Sequence, residues 1–221
     1  MKLVLMSGYN TDTITQKIVD LVGKSAEKIN VAILNECSTV ENGDIRWLLY
    51  GFDILQKSFG GEIYLCDLRN ESIEENKNRI DKADVIYCFG GHVDYLQTVF
   101  DKSGFSNILP ELLRTKVWVG SSAGSCVVGK RPSQLHKLDI GERHGVDKYL
   151  ELINVGIRPH IWAEHGSAEG VEVSIEESKI NNGIPVYALS DESALIAEGN
   201  KLYLIGIKAQ KIINGEVVED I

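Results

Sequence analysis

An apolar run, Val117-Trp118-Val119, passes directly into Gly120-Ser121-Ser122-Ala123-Gly124-Ser125. A strand that ends in Gly-x-Ser-x-Gly and leads into a helix is the sequence form of a nucleophile elbow. The turn is so tight that its middle residue takes strained backbone angles. The flanking residues must be small for the turn to close, and here they are Gly120 and Gly124. Ser122 is thereby expected at the carboxyl end of a strand, above a helix N-terminus whose free N–H groups can stabilise a developing oxyanion.

The surrounding sequence suits that geometry. Lys2–Met6, Asn30–Leu34, Glu62–Leu65 and Val85–Phe89 are short, continuous apolar strands. Between them, Thr13–Lys28 (capped by Thr11 or Asp12), Asp44–Phe59 and Ser72–Lys82 have helical spacing. His92–Phe100 and Asn107–Arg114 complete the helical set before the elbow strand. The alternation predicts an α/β fold with a mostly parallel sheet sandwiched by helices. Ligands of such sheets bind beyond the carboxyl ends of the strands, so Gly90-Gly91 and Ser122 are expected to lie close together. After the elbow, Lys130–Lys148 is long and polar and reads as a loop or flap. Ile153–Ile157 reads as a strand and Gly170–Lys179 as a helix. Val186–Leu189, Ala194–Glu198 and Lys201–Ile205 read as strands in hairpins, and Asn214-Gly215 predicts the turn of a C-terminal antiparallel hairpin. With no linker or repeat in 221 residues, a single domain over 1–221 is expected.

Composition narrows the function. The formal net charge is −9, which argues against nucleic-acid and anionic-membrane surfaces. The four cysteines, Cys37, Cys66, Cys88 and Cys126, form no Cys-x-x-Cys pair and no zinc-ligand spacing. Reduced thiols and a cytoplasmic setting are expected, with no metal and no organic cofactor. The N-terminal apolar run is too short for a secretion signal. No Gly-x-Gly-x-x-Gly follows the first strand, which removes a dinucleotide reading.

A serine nucleophile needs a base, and the base needs an orienting acid. Of the five histidines, His160 stands in a Pro-His turn just past a strand and is the first choice of base. His165 is the second choice and, with Gly90 and His92, a candidate for substrate binding. His136 and His144 read as solvated. Asp139, Glu142, Asp191 and Glu192 are all reachable as the acid, and spacing leaves them open. The N–H groups of Gly91 and Ala123 are candidates for an oxyanion hole.

Phe89-Gly90-Gly91, Leu96, Gly104-Phe105 and the Val117–Ser125 elbow resemble the dipeptidase E-like serine peptidases, a group with the aspartyl dipeptidases and, more distantly, the cyanophycinases. Val155-Gly156-Ile157-Arg158-Pro159-His160 looks like the family's histidine segment, and Leu189-Ser190-Asp191-Glu192-Ser193-Ala194-Leu195 like its late acidic segment. The resemblance covers nearly the whole chain. It implies a fold similar to the class I glutamine amidotransferases, with Ser122 as nucleophile, His160 as base and either Asp139 or Asp191 as acid. It implies a serine hydrolase that cleaves amide bonds of short peptides, dipeptidase- or aminopeptidase-like, acting as monomer or homodimer without nucleic acid or membrane. A non-peptide amidase or esterase, or a silent small-molecule-binding relative, are the alternatives. Two departures bear on specificity. His92-Val93 stands where the family commonly has Asn-Thr. Ile161–Glu169 holds two glutamates and no arginine, which argues against strict recognition of an N-terminal aspartate.

Overall fold

The computed structural model describes residues 1–131, 146–162 and 169–221. Five parallel strands form the body of a seven-stranded sheet: β1 (Lys2–Met6), β2 (Val31–Leu34), β3 (Ile63–Leu65), β4 (Val85–Cys88) and β5 (Val117–Ser121), in the spatial order β3-β2-β4-β5-β1. Beside β1 the sheet continues with two antiparallel strands, β8 (Ala194–Glu198) and β9 (Lys201–Ile205). Apart from β3, an edge strand whose Ile63 and Leu65 are exposed, the strands of the parallel body are buried on both faces, as their unbroken apolar sequences require. In β1, Leu3 and Leu5 point to one core and Val4 and Met6 to the other.

Helices cover both faces. α1 (Asp12–Val22) and α2 (Arg46–Ser58) bury Ile14, Ile18, Leu21, Leu48 and Leu55 against one side. α3 (Ile73–Lys82), α4 (Val93–Ser103) and α5 (Phe105–Leu112) bury Ile80, Leu96, Phe100 and Leu109 against the other. Thr11 caps α1 and Ser72 closes a capping box on α3 with Glu75. α1 is shorter than its periodicity predicts. Gly23 takes the left-handed conformation (φ 75°) and its N–H closes back on Val19 O, so Ala26–Lys28 forms a separate 3₁₀ turn.

A second sheet was not expected. β6 (Gly156–Arg158) pairs in parallel with β7 (Val186–Leu189), and β10 (Ala209–Ile213) and β11 (Glu216–Asp220) add antiparallel to β7, in the order β6-β7-β10-β11. The predicted terminal hairpin is β10–β11, with Asn214 and Gly215 both at positive φ as a type I′ turn demands. Val186–Leu189 therefore forms no hairpin with Ala194–Glu198; the chain leaves one sheet for the other between them. Ile153–Ile157 is a strand only from Gly156 onward. α7 (Glu169–Ile180) packs on β7 and β10. Most of the Lys130–Lys148 segment, with His136, Asp139, Glu142 and His144, lies outside the described residues, as do Glu164 and His165. Among the described residues, no helix is long and apolar enough to cross a membrane, and no group of three His, Cys, Asp or Glu side chains could hold a metal.

Candidate active site

The elbow closes because its backbone has no room for side chains. A Cβ on Gly120 would stand 2.3 Å from Gly124 O, and one on Gly124 would stand 2.2 Å from Cys88 O. Between them Ser122 is held at φ 49°, ψ −111°, a conformation an L-residue rarely adopts. Its N–H donates to Met6 O, and Ser125 Oγ donates to Met6 O and Gly120 O, which ties the turn to the end of β1. The helix that follows, α6 (Ala123–Cys126), is a single turn rather than a full helix.

Ser122 Oγ lies 2.9 Å from His160 Nε2, and His160 Nδ1 lies 2.6 Å from Asp191 Oδ1. An ionised carboxylate can only accept, so Nδ1 carries the proton and Nε2 is left to accept from the Ser122 hydroxyl. The three side chains come from different places: Ser122 from the end of β5, His160 from beyond β6 and Asp191 from beyond β7. His160 is itself at φ 61°, and its backbone N–H donates to Ser7 Oγ at 2.7 Å. The Ser7 hydroxyl in turn donates to Asp191 Oδ1. The hydrogen bond from His160 holds the Asp191 carboxyl below its ordinary value, assisted by the Ser7 hydroxyl and, when the imidazole is protonated, by its charge, against an upward push from partial burial.

Gly90 sits against the serine; a Cβ there would be 3.0 Å from Ser122 Cβ. Gly91 is at φ 133°, and a Cβ there would stand 2.4 Å from Cys37 O, so the site suits glycine alone. The amides of Gly91 and Ala123 donate to no acceptor among the described residues. His92 caps α4, its Nδ1 accepting the Tyr95 N–H at 3.3 Å. Cys126 ends α6 with its thiol directed at Ile157 O, and desolvation pushes its pKa up to about 12, the reverse of what a thiolate nucleophile needs. Glu192 is exposed and takes no part in the cluster.

The three side chains open onto a cleft of about 490 Å³. Besides the glycine pair, it is lined by Gly8, Tyr9, Glu41, Trp47 and Phe89. Sequence reasoning singled out none of these five except Phe89, and it missed Ser7. The one signal was Ser7-Gly8 directly after β1, which reads as a plain strand end. Gly8 is required because a Cβ there would lie 2.7 Å from Asp191 O.

The model of peptidase family S51 matches residues 3–205. An uncharacterized peptidase of Listeria monocytogenes is 25% identical over 134 residues, which span 59% of this chain and 64% of that protein. The fold is similar to that of a Listeria monocytogenes EGD-e protein described as a candidate peptidase E, with a TM-score of 0.74 and 21% identity over 93% of this chain and 98% of that one. It is also similar to a peptidase from an acI-B1 Actinobacterium, with a TM-score of 0.71 and 16% identity over 100% of this chain and 96% of that one. The chain belongs to peptidase family S51, a family of serine-type peptidases.

Proposed function

We propose that this protein hydrolyses amide bonds of short peptides through an acyl-enzyme on Ser122, with His160 as general base and Asp191 as the orienting acid. The observation that carries the reading is the continuous contact from Asp191 Oδ1 through His160 to Ser122 Oγ, at 2.6 and 2.9 Å, on a serine held in an elbow. Family membership supports the same chemistry.

In this mechanism Ser122 Oγ attacks the scissile carbonyl carbon while its proton passes to His160 Nε2. The carbonyl oxygen becomes an oxyanion that accepts from the N–H groups of Gly91 and Ala123. Collapse of the tetrahedral intermediate breaks the C–N bond, and Nε2 returns its proton to the leaving amine. Water, activated by the same nitrogen, then releases the acyl group as a carboxylic acid. Asp191 stays ionised throughout and stabilises the imidazolium.

Intact-mass labelling with a fluorophosphonate tests this. One label on Ser122 is expected, absent in Ser122→Ala and slowed roughly a thousandfold in His160→Ala. A native protein that takes no label would overturn the reading.

A further inference from the structure

We infer that Ser38 is a positioning residue for the oxyanion hole: its hydroxyl, helped by the Cys37 thiol, holds the Gly90–Gly91 peptide with its N–H turned to the cleft. The inference rests on the serine-hydrolase reading above and names what aligns one of the donors which that reading uses.

The Gly91 N–H belongs to a peptide between two glycines, the backbone with the least resistance to rotation. A flip of that peptide would bring the Gly90 carbonyl to the place of the N–H, and oxygen would then face the developing oxyanion. What holds the peptide is the 3₁₀ turn Glu36–Val40, which follows β2. Ser38 Oγ donates to Gly90 O at 2.9 Å, and Cys37 Sγ donates to the same oxygen at 3.0 Å. Both side chains are buried, and neither is among the residues that line the cleft.

The peptide is trans, so its C=O and its N–H point in opposite directions. Two donors that grip the oxygen from the turn therefore aim the Gly91 N–H away from the turn, toward the cleft whose wall Gly90, Gly91 and Ser122 share. The next peptide is tied to the same place, since the His92 N–H donates to Cys37 O at 3.1 Å. The turn is itself pinned. Glu36 Oε1 accepts the Leu68 N–H at 3.0 Å, and Thr39 Oγ1 donates to Glu36 O at 2.7 Å. A donor aligned in advance lowers the barrier only if it keeps its direction as charge develops, and the hydroxyl behind it supplies that constraint.

The test follows fluorophosphonate labelling of Ser122 to saturation in the native protein, Ser38→Ala and Ser38→Thr, with urea unfolding of each and amide NMR relaxation at Gly91. The phosphoryl oxygen gains charge in the hole as Ser122 attacks, so alignment acts on the maximal rate and not on prior binding. In Ser38→Ala the maximal rate should fall about tenfold, with the half-saturating concentration changed less than about twofold. The order parameter of the Gly91 N–H should fall from about 0.85 toward about 0.6. Ser38→Thr keeps the hydroxyl and should return both values, read on protein that is folded by the urea test. A lower urea midpoint with an unchanged maximal rate in Ser38→Ala would mean that the hydroxyl only satisfies a buried carbonyl, and would overturn the inference. An unchanged order parameter, or a loss that Ser38→Thr does not reverse, would overturn it too. If the native protein takes no label, the hydrolase reading is what has failed. The relaxation data then decide the anchoring alone: a Gly91 order parameter that falls in Ser38→Ala and returns in Ser38→Thr supports it, and one that does not move overturns it.

Discussion

Ser7 Oγ donates to Asp191 Oδ1 at 2.9 Å, a contact between residues 184 positions apart in the chain. The same fully buried hydroxyl accepts the backbone N–H of His160, so one side chain holds both Asp191 and His160. Ser7→Ala removes one hydrogen bond to a carboxylate and leaves a backbone donor unmet. We expect kcat to fall about tenfold to a hundredfold, with KM changed less than about twofold. The rate of fluorophosphonate labelling should fall in parallel, and Ser7→Thr should restore part of it. An unchanged kcat would show that the hydroxyl does not position the pair.

The depressed pKa of Asp191 makes a prediction about pH. A carboxyl whose folded value lies below its unfolded value of 3.8 contributes stability that is complete above 3.8 and is lost as pH falls through the folded value. The urea midpoint of the native protein should therefore exceed that of Asp191→Asn at about pH 5. The difference should shrink below about pH 4. Activity should suffer far more than stability, with kcat reduced roughly 10⁴-fold in Asp191→Asn as the imidazole loses its preferred tautomer.

Two glycines separate folding from catalysis. Gly124→Ala forces a Cβ against Cys88 O in the buried floor of the elbow, and should destabilise the protein by about 1–3 kcal/mol in chemical unfolding. Gly90→Ala meets Ser122 Cβ at 3.0 Å, where a few tenths of an ångström must be found beside the nucleophile. It should lower kcat at least about tenfold while shifting Tm by no more than a few degrees. Equal thermal losses in the two variants would refute that division.

Asp94 is the third case. Its carboxylate is nearly inaccessible and binds Arg131 Nη2 and Tyr149 Oη, each at 2.8 Å, from the chain on either side of residues 132–145. Asp94→Ala strands a half-buried guanidinium and a buried phenol, and should cost about 3–5 kcal/mol in urea unfolding. Adding Arg131→Met should recover part of the loss. A double variant as unstable as the single one would mean that the ion pair is not the source.

The elbow was legible in the sequence because small residues at fixed spacing report a backbone close approach, and little else explains Gly120 and Gly124 together. The parallel sheet was legible because strands buried on both faces are continuously apolar. The choice of acid was not. Asp191 and Asp139 stood as equal candidates; the path of β7 brings Asp191 beside His160, while Asp139 lies outside the described residues. The second sheet was hidden because β6 is three residues long and β11 is exposed along its whole length, so neither carries a periodic signal. Ser7, Glu41 and Trp47 were hidden for a different reason. Their positions come from long-range neighbours, and nothing local marks a serine after a strand or a glutamate after the 3₁₀ turn Glu36–Val40.

β6 and β7 run parallel with Ile157 opposite Tyr187 and Arg158 opposite Ala188, and the chain leaves their ends toward His160 and Asp191. Adjacent strands keep a separation of roughly 4.8 Å in every protein. The pairing thus fixes the two points from which the chain turns out to His160 and Asp191, two residues beyond each strand. A slip of one residue in that register would turn every side chain of β6 to the opposite face. The pairing therefore acts as a gauge: chains that mispair these two strands fail as enzymes at once, before any loss of the large sheet would be visible.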